Sequence, residues 1–255
     1  MLSKSQIKRL KSLHQIKYRN QEGQILLEGH RLIKQALIAE ADIKVVWMTN
    51  YYAESISGRE LKPMLEDKNV AMKIESEESI ERVCGTQNNQ GIISVIPLLE
   101  YEGLVDIPKQ SIYLDDISDP GNMGTLLRTA AWFGIDSVFL STRCVDPLNS
   151  KVLRSAMGAH FYFSNLQTIS PNDLFEKYMN AGYAILGSDM RGESLSNLQI
   201  DLEKGWILIL GNEAHGMHDS LRSYITQSIS IPGFGDLDSL NVAVAGGILL
   251  HNLTQ

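Results

Sequence analysis

The sequence contains little cysteine and no long apolar run. Only two of its 255 residues are cysteines, Cys84 and Cys144, and neither has another cysteine or a histidine at metal-binding spacing. We therefore expect buried free thiols, with neither a disulfide nor a structural zinc. No apolar run reaches the roughly 20 residues that a membrane helix needs, and the chain opens without the apolar core of a signal peptide. These absences predict a cytoplasmic protein that does not contact membranes.

The dinucleotide-binding fingerprint is also missing. Neither half of the chain has Gly-x-Gly-x-x-Gly after its first predicted strand, which argues against a nicotinamide-dependent oxidoreductase. What is present is an ordinary globular composition, with 44% hydrophobic and 21% charged residues. A chain of this length and composition can bury one large core or two smaller ones.

The net charge of −7 argues against a nucleic-acid partner, but the charge is unevenly distributed. Residues 1–35 contain eight Lys or Arg against two Glu, which gives +6 and leaves −13 for the remainder. Such a basic leader could contact phosphate. The alternative is an amphipathic first helix whose lysines face water while Ile7, Leu10 and Leu13 form an apolar stripe. Taken alone, the pattern favours this alternative.

The chain divides near residues 98–110, a linker that contains Gly103 and Pro108. Residues 1–97 predict a small α/β domain that includes the basic leader, with strands at 24–27, 45–48, 71–74 and 92–96. In residues 111–255, apolar runs alternate with helical patterns, which is typical of a mostly parallel sheet. The strands predicted in this second domain are 111–114, 137–140, 183–186, 206–210 and 228–231.

A turn and a helix follow the first strand of the second domain. Pro120 and Gly121 turn the chain, and Asn122 suits a helix N-cap, where free N–H groups and the positive dipole end favour an anion. Arg128 lies nearly two turns further along, where its planar guanidinium can hold a phosphate or ribose oxygen. Taken singly, such an arginine is more often a surface residue of a helix.

A second loop follows the buried strand 206–210. Gly211 lets main-chain atoms contact a flat ring or a ribose, and Glu213 can accept hydrogen bonds from an arginine or a hydroxyl. The alternative is a strand-to-helix turn in which Glu213 caps a helix. His215 and His218 lie on this turn without a third ligand, so we expect no metal.

A third segment joins a glycine-rich loop to an uncharged helix of small residues. Gly233 and Gly235 allow main-chain groups to face a ligand, and the helix begins at Ser239 or nearby. One face of this helix contains Val242, Ala245, Gly246 and Leu249. Its small members let another backbone approach closely, so we expect a ligand loop and a tight subunit interface in one segment.

Together, these three loops resemble the three motifs of the SpoU (TrmH) family of RNA ribose 2′-O-methyltransferases, within the SPOUT group. The motifs occur in the family's order over residues 111–255, and the first domain resembles the substrate-binding domain of many members at residues 27–32 and 89–92. The matching motif residues are Asn122, Gly124, Arg128 and Ala130; Leu210, Gly211, Asn212, Glu213 and Gly216; and Ile231, Pro232, Gly235, Ser239, Leu240, Asn241, Val242, Val244 and Ala245.

The resemblance implies S-adenosylmethionine as methyl donor and a homodimer whose active site uses both subunits. The implied fold class is α/β: a mostly parallel C-terminal sheet with a deep trefoil knot, and a smaller N-terminal α/β domain like ribosomal protein L30e. Catalysis is implied for Arg128 with Asn122 and Glu213, and donor binding for Gly211, Ile231, Leu240, Ser239 and Asn241. Two roles stay open for the arginine, general base or stabiliser of a developing alkoxide.

We expect a ribosomal RNA substrate, 23S RNA methylated at a guanosine, because a separate first domain with a basic leader suits a large structured RNA. Transfer RNA is the nearest alternative. A catalytically silent RNA-binding protein is the alternative from another class. The residues expected to contact RNA are Arg31, Arg143, Lys151 and Arg154.

Overall fold

The computed structural model describes residues 1–84, 88–101, 103–104, 106–194, 202–212, 215–233, 235 and 239–255. The chain forms two compact units. The first contains residues 1–100 and 148–161, and the second contains residues 101–147 and 162–255. This grouping differs from the predicted continuous domain 111–255, because the segment 148–161 belongs to the first unit.

The first unit is built on a four-stranded mixed sheet in the order β1-β4-β2-β3. Strand β4 is antiparallel to β1 and β2, whereas β2 and β3 are parallel. The elements are α1 (Lys4–Ser12), α2 (Ile16–Glu22), β1 (Gln24–Glu28), α3 (His30–Ile38), β2 (Val45–Thr49), α4 (Asn50–Glu54), α5 (Ile56–Asp67), β3 (Ala71–Glu75), α6 (Glu77–Cys84) and β4 (Ile92–Pro97). Every strand expected in this part of the chain is present.

Helix α1 is ordered by its own sequence. Ser3 and Gln6 form a capping box, in which each side chain accepts a hydrogen bond from the other residue's backbone N–H. Leu10 and Leu13 are buried in a cluster with Leu26 of β1 and other apolar residues. The lysines of the helix face water, as the amphipathic alternative requires.

The segment 148–161 packs in the first unit by an apolar contact with its core and by an ion pair with β1. It contains helix α8 (Ser150–Ala156), whose Leu153 is buried in the same core cluster as Ile25 and Leu27. Next to Leu153, Arg154 forms an ion pair with Glu28 at the end of β1, with Nη1 3.1 Å from Oε2. Residue spacing along the chain gives no indication of this long-range packing.

The second unit contains a six-stranded sheet in the order β10-β8-β9-β5-β6-β7, and all its pairings are parallel. Its elements are β5 (Gln110–Leu114), α7 (Pro120–Trp132), β6 (Ser137–Leu140), β7 (Asn165–Thr168), α9 (Pro171–Ala181), β8 (Ala184–Ser194), β9 (Trp206–Leu210), β10 (Gln227–Ser230) and α10 (Val242–Leu253). Strand β7 was not expected from the sequence. It lies at the sheet edge, and Leu166 is its one apolar residue.

Helix α10 packs on helix α7 by means of its small residues. A Cβ added at Gly246 would lie 2.6 Å from Leu126 of α7 and 2.9 Å from Leu210 of β9. Of the small-residue face that we expected in a subunit interface, Val242, Gly246 and Leu249 are therefore buried within the chain, and Ala245 is partly buried. Among the described residues, no helix combines the length and the apolar character that crossing a membrane requires.

Candidate active site

The loops after β5 and β9 meet at one edge of the second sheet, because these parallel strands are neighbours. Asp115, which the sequence did not single out, organises this edge. It is buried, and its carboxylate accepts a hydrogen bond from the backbone N–H of His218 (2.8 Å) and one from Arg143 (3.4 Å). The Asn212 side chain donates to the carbonyl of Asp116 at 3.0 Å, which ties the second motif to the loop after β5.

The first and third motifs are joined by a side-chain hydrogen bond. Asn241 caps α10 by accepting from the backbone N–H groups of Ala243 and Val244, and its Nδ2 donates to Oδ1 of Asn122 at 2.9 Å. Asn122 itself is not a helix cap, contrary to our prediction. Asp119 caps α7 because Pro120, with no N–H to satisfy, occupies the first helical turn.

Four predicted donor-binding residues line one cavity of the second unit. Its volume is about 870 Å³, within the usual range of ligand sites. Those four residues are Gly211, Ile231, Ser239 and Leu240. Other parts of the lining come from the loop after β9, the end of β10 and the start of α10. The second and third motifs are therefore brought together in one concave site.

Gly211 is glycine for a steric reason. A Cβ at this position would lie 2.3 Å from the carbonyl carbon of Gly216 and 2.3 Å from the backbone N of Met217. That backbone is held in place, since Asn212 and Gly216 exchange two backbone hydrogen bonds of 3.0 and 2.8 Å. A side chain at residue 211 would therefore displace the backbone of Gly216 and Met217, which line the cavity.

Three charged side chains that the sequence did not single out also line this cavity: Asp189, Arg191 and Arg222. Asp189 accepts hydrogen bonds from the backbone N–H of Arg191 (2.9 Å) and from Nη1 of Arg222 (3.2 Å). The first of these bonds contributes most to holding the pKa of Asp189 below its ordinary value. Asp189 and Arg191 follow the strand predicted at 183–186 by a few residues, which was an available signal, although the observed strand β8 continues through both of them. Arg222 follows no predicted strand directly and had no such signal.

The remaining predicted catalytic residues are differently placed. Arg128 is exposed on α7 and does not belong to the described cavity lining, although its helix is bonded to α10 through Asn122. Glu213 lies outside the described residues. Arg143, expected to contact RNA, is half-exposed and lies near two carboxylates. Its Nη2 is 3.4 Å from Oδ1 of Asp115, and its Nε is 3.8 Å from Oδ2 of Asp116.

The other three residues expected to contact RNA lie in the first unit. Arg31 and Arg154 line a second cavity there, and Lys151 is exposed on α8. The structure therefore gathers two of the predicted RNA-binding arginines at one place. Within the described ranges, no group of three His, Cys, Asp or Glu side chains is arranged to hold a metal ion.

Comparison with known families explains why these motifs lie together. A model of the SpoU rRNA Methylase family matches residues 109–251, which is more than half of the chain, and a model of the MRM3-like substrate binding domain matches residues 4–94. The chain belongs to the SpoU rRNA methylase family. The first match covers the three motifs in the second part of the chain, and the second match covers the part that resembled a substrate-binding domain.

Relatives of this SpoU-family chain are similar over almost its whole length. A protein from Synechocystis named as an uncharacterized tRNA/rRNA methyltransferase is 30% identical, over 96% of this chain and 89% of the relative. The 23S rRNA (guanosine(2553)-2′-O)-methyltransferase RlmP from Bacillus subtilis is 28% identical, over 97% of this chain and 95% of RlmP.

Solved structures show the same fold. A protein from Porphyromonas gingivalis assigned to the TrmH family of RNA methyltransferases superposes with a TM-score of 0.83 at 29% identity, covering 99% of this chain and 98% of that one. The SpoU methyltransferase AviRb from Streptomyces viridochromogenes, solved with AdoMet, has a TM-score of 0.82 at 21% identity, covering 99% and 97%.

These matches confirm the predicted family, the α/β fold class and the enzyme class, an RNA (ribose-2′-O)-methyltransferase. The trefoil knot is an expectation that follows from the family. The roles given to individual site residues stay predictions, and so does the boundary at residues 98–110.

Proposed function

We propose that this enzyme transfers a methyl group from S-adenosylmethionine to a ribose 2′-hydroxyl of 23S ribosomal RNA, at a guanosine. The observation that carries the proposal is the convergence of the motifs: Gly211, Ser239 and Leu240 line one cavity, and Asn241 beside them bonds Asn122 of the first motif. The similarity to RlmP of Bacillus subtilis over nearly its full length supports the choice of RNA and nucleotide.

The cavity of the second unit fits the methyl donor. Its volume of about 870 Å³ suits a molecule of that size, and its glycine-lined wall exposes main-chain groups for hydrogen bonding to a nucleoside. Asp189, Arg191 and Arg222 supply charges of both signs, which suits a ligand that carries an ammonium and a carboxylate group. The AdoMet complex of the SpoU neighbour AviRb supports this choice. When bound, the donor supplies a methyl group activated by a sulfonium.

Arg128 is proposed to stabilise negative charge rather than to act as a base. A guanidinium does not deprotonate in proteins, and this side chain is exposed on α7 rather than buried where its charge would be disfavoured. It can hold the ribose oxygen and a neighbouring phosphate by paired hydrogen bonds while water accepts the hydroxyl proton. We expect Arg128→Ala and Arg128→Lys to lose roughly 100-fold or more in turnover while donor binding persists.

Three exposed lysines on α1 provide a phosphate-binding surface. Lys4, Lys8 and Lys11 follow the i, i+4, i+7 spacing of one helix face, and none has an ion-pair partner among the described residues. Arg9, by contrast, is paired with Glu22 at 2.8 Å. We propose that this lysine face contacts the RNA backbone, as the MRM3-like substrate binding domain assigned to residues 4–94 supports.

The lysine face can be tested through the salt dependence of RNA binding. Replacing its three lysines with alanine should lower the slope of log affinity against log salt by roughly 0.7–0.9 per lost phosphate contact. A matched triple alanine variant at Lys62, Lys73 and Lys177, all exposed, should keep the wild-type slope. Equal slopes in the two variants would contradict the assignment.

The enzyme is proposed to be a homodimer formed through the outer face of α10 and the end of α7. Val244 and Ile248 are exposed one turn apart, Leu240 precedes them, and Trp132 of α7 is 84% exposed. Apolar side chains of this size on neighbouring helices favour burial against a second copy. Ile248→Glu should shift the mass measured by light scattering from dimer to monomer, whereas Met179→Glu on α9 should not.

The proposed reaction is tested by mapping methylated nucleotides with mass spectrometry. The enzyme is incubated with S-adenosylmethionine and with 23S RNA, 16S RNA or transfer RNA from cells that lack it. We expect a 2′-O-methylguanosine in 23S RNA alone, absent with Arg128→Ala. Methylation of transfer RNA alone would overturn the substrate assignment, and absence of donor binding in a calorimetric titration would favour a catalytically silent RNA-binding protein.

A further inference from the structure

A second cavity lies wholly within the first unit. Most of its lining residues precede the methyltransferase motifs in sequence, whereas Arg154 and Met157 lie between the first and second motifs. Its volume is about 520 Å³, and it is open to solvent between the end of β1, the start of α3, the residues before β4 and helix α8. Six of its lining residues matter here: Glu28, Arg31, Asn88, Gln90, Arg154 and Met157. Two arginines and one glutamate give these six a net charge of +1.

Glu28 fixes one of the two arginines. Its carboxylate is buried, and Oε2 accepts a hydrogen bond from Nη1 of Arg154 at 3.1 Å, while His14 lies 3.7 Å from Oε1. Burial raises the pKa of Glu28, and the charges of His14 and Arg154 oppose that rise. Oε1 accepts no hydrogen bond within the described part of the chain. The carboxylate thus orients the Arg154 guanidinium, which also lines the cavity.

Arg31 is the more available cation. Its side chain is exposed, and the hydrogen bond that the structure gives it goes to the sulfur of Met157 at 3.4 Å, which is a weak acceptor. Most of its five N–H donors can therefore turn to an anion at low cost. Both arginines line one cavity, and a guanidinium can hold a phosphate by paired hydrogen bonds.

The lining of this cavity also offers amide groups. Gln90 uses its Oε1 to accept from the backbone N–H of His30 at 2.8 Å, which fixes the side chain, and its Nε2 has no hydrogen-bond partner among the described residues. Gly29 has a φ of +97°, which favours glycine, and a Cβ there would lie 2.7 Å from that Oε1 and would displace the Gln90 side chain. Asn88 is exposed beside Gln90. Amide side chains pair with the donors and acceptors of a nucleobase edge.

We propose that this cavity binds one unpaired nucleotide of the RNA substrate, with Arg31 and Arg154 on its phosphate and Asn88 and Gln90 on its base. The proposal rests on the proposed function, since it takes RNA as the substrate. Proteins recognise RNA sequence chiefly through such unstacked nucleotides, because base edges in an A-form helix are poorly accessible. The first unit would then select the RNA site, and the cavity of the second unit would hold the methyl donor.

The test uses the full-length enzyme in NMR titrations with the four nucleoside 5′-monophosphates and with ribose 5-phosphate. We expect at least one nucleotide to shift the side-chain amide signals of Asn88 and Gln90 and to bind more tightly than ribose 5-phosphate. Arg31→Ala should weaken that binding roughly tenfold, as the loss of a charged hydrogen bond implies. Arg59→Ala is the control, because Arg59 is exposed in the same unit and, among the residues that the structure describes, bonds only the carbonyl of Glu54.

Arg154→Ala is a poor test, since it would remove the guanidinium that donates to the buried Glu28 and would destabilise the unit. Equal binding of ribose 5-phosphate and nucleotides, signals shifted only outside the cavity, or equal effects of Arg31→Ala and Arg59→Ala would each overturn the inference. The same preparations are assayed for methyl transfer to RNA. An enzyme that methylates RNA without nucleotide binding here refutes the inference alone, and nucleotide binding without methylation refutes the proposed function alone.

Discussion

Replacing Gly211 by alanine should disrupt the donor cavity, whereas the same change at Gly233 should not. The Cβ of an alanine at residue 211 would lie 2.3 Å from two backbone atoms of Gly216 and Met217, about 1.1 Å short of the 3.4 Å at which ordinary contact begins. Because those atoms belong to a hydrogen-bonded backbone, relief requires the loop itself to move. Overpacking of this kind costs about 1–3 kcal/mol, which lowers the melting temperature of a unit this size by roughly 2–12 °C.

Gly233 lines the same cavity, but a Cβ there meets nothing within 4 Å. We therefore expect Gly233→Ala to bind S-adenosylhomocysteine with wild-type affinity in calorimetry, while Gly211→Ala binds it at least tenfold more weakly. A displacement of about 1 Å at the site also costs roughly 100-fold in turnover. If both variants bind equally well, Gly211 does not shape the cavity through its missing side chain, and the steric reasoning fails.

Three further predictions concern packing and charge. Gly247→Ala should raise the unfolding free energy by about 0.5–1 kcal/mol, since its nearest neighbour is 3.7 Å away, whereas Gly246→Ala should lower it by about 1 kcal/mol; urea unfolding compares them. Asp115→Ala should cost about 1–3 kcal/mol in the same assay, because the His218 N–H loses its acceptor. Because burial raises the pKa of Glu28 in the folded state, the free energy of unfolding should fall as pH rises above 4.5. Glu28→Gln removes this titrating group, so the unfolding free energy of the variant should fall less steeply across a pH series of unfolding curves. An equally steep dependence of unfolding free energy on pH in the wild type and in Glu28→Gln would contradict this prediction.

The elements that follow from local pattern were predictable, and the long-range ones were not. Alternating and continuous apolar runs predicted the central strands, because strands buried in a sheet are rich in apolar residues. Strand β7 has no such run, since a strand at the sheet edge buries fewer side chains. The assignment of residues 148–161 to the first unit depends on Leu153 packing in a core that includes Ile25 and Leu27, more than 100 residues away in sequence, which spacing cannot reveal.

The candidate site was partly predictable for a similar reason. The motifs predicted three of the residues that line the donor cavity, because their residue types are typical of a ligand-binding loop: Gly211, Ser239 and Leu240. Asp115 and Arg222 line or organise the same region without a motif, because their importance comes from partners distant in the sequence. The cap of α7 was misread because both Asp119 and Asn122 are good capping residues, and Pro120 decides between them.

The first unit is discontinuous in sequence, and this limits how the enzyme can be dissected. Three covalent crossings connect the two units, near residues 100, 147 and 161, so no single cut of the chain separates them. A fragment that stops at residue 100 would lack the leucine that completes its core and the guanidinium that neutralises its buried carboxylate. An autonomous version of this unit therefore has to carry residues 148–161 as a grafted helix.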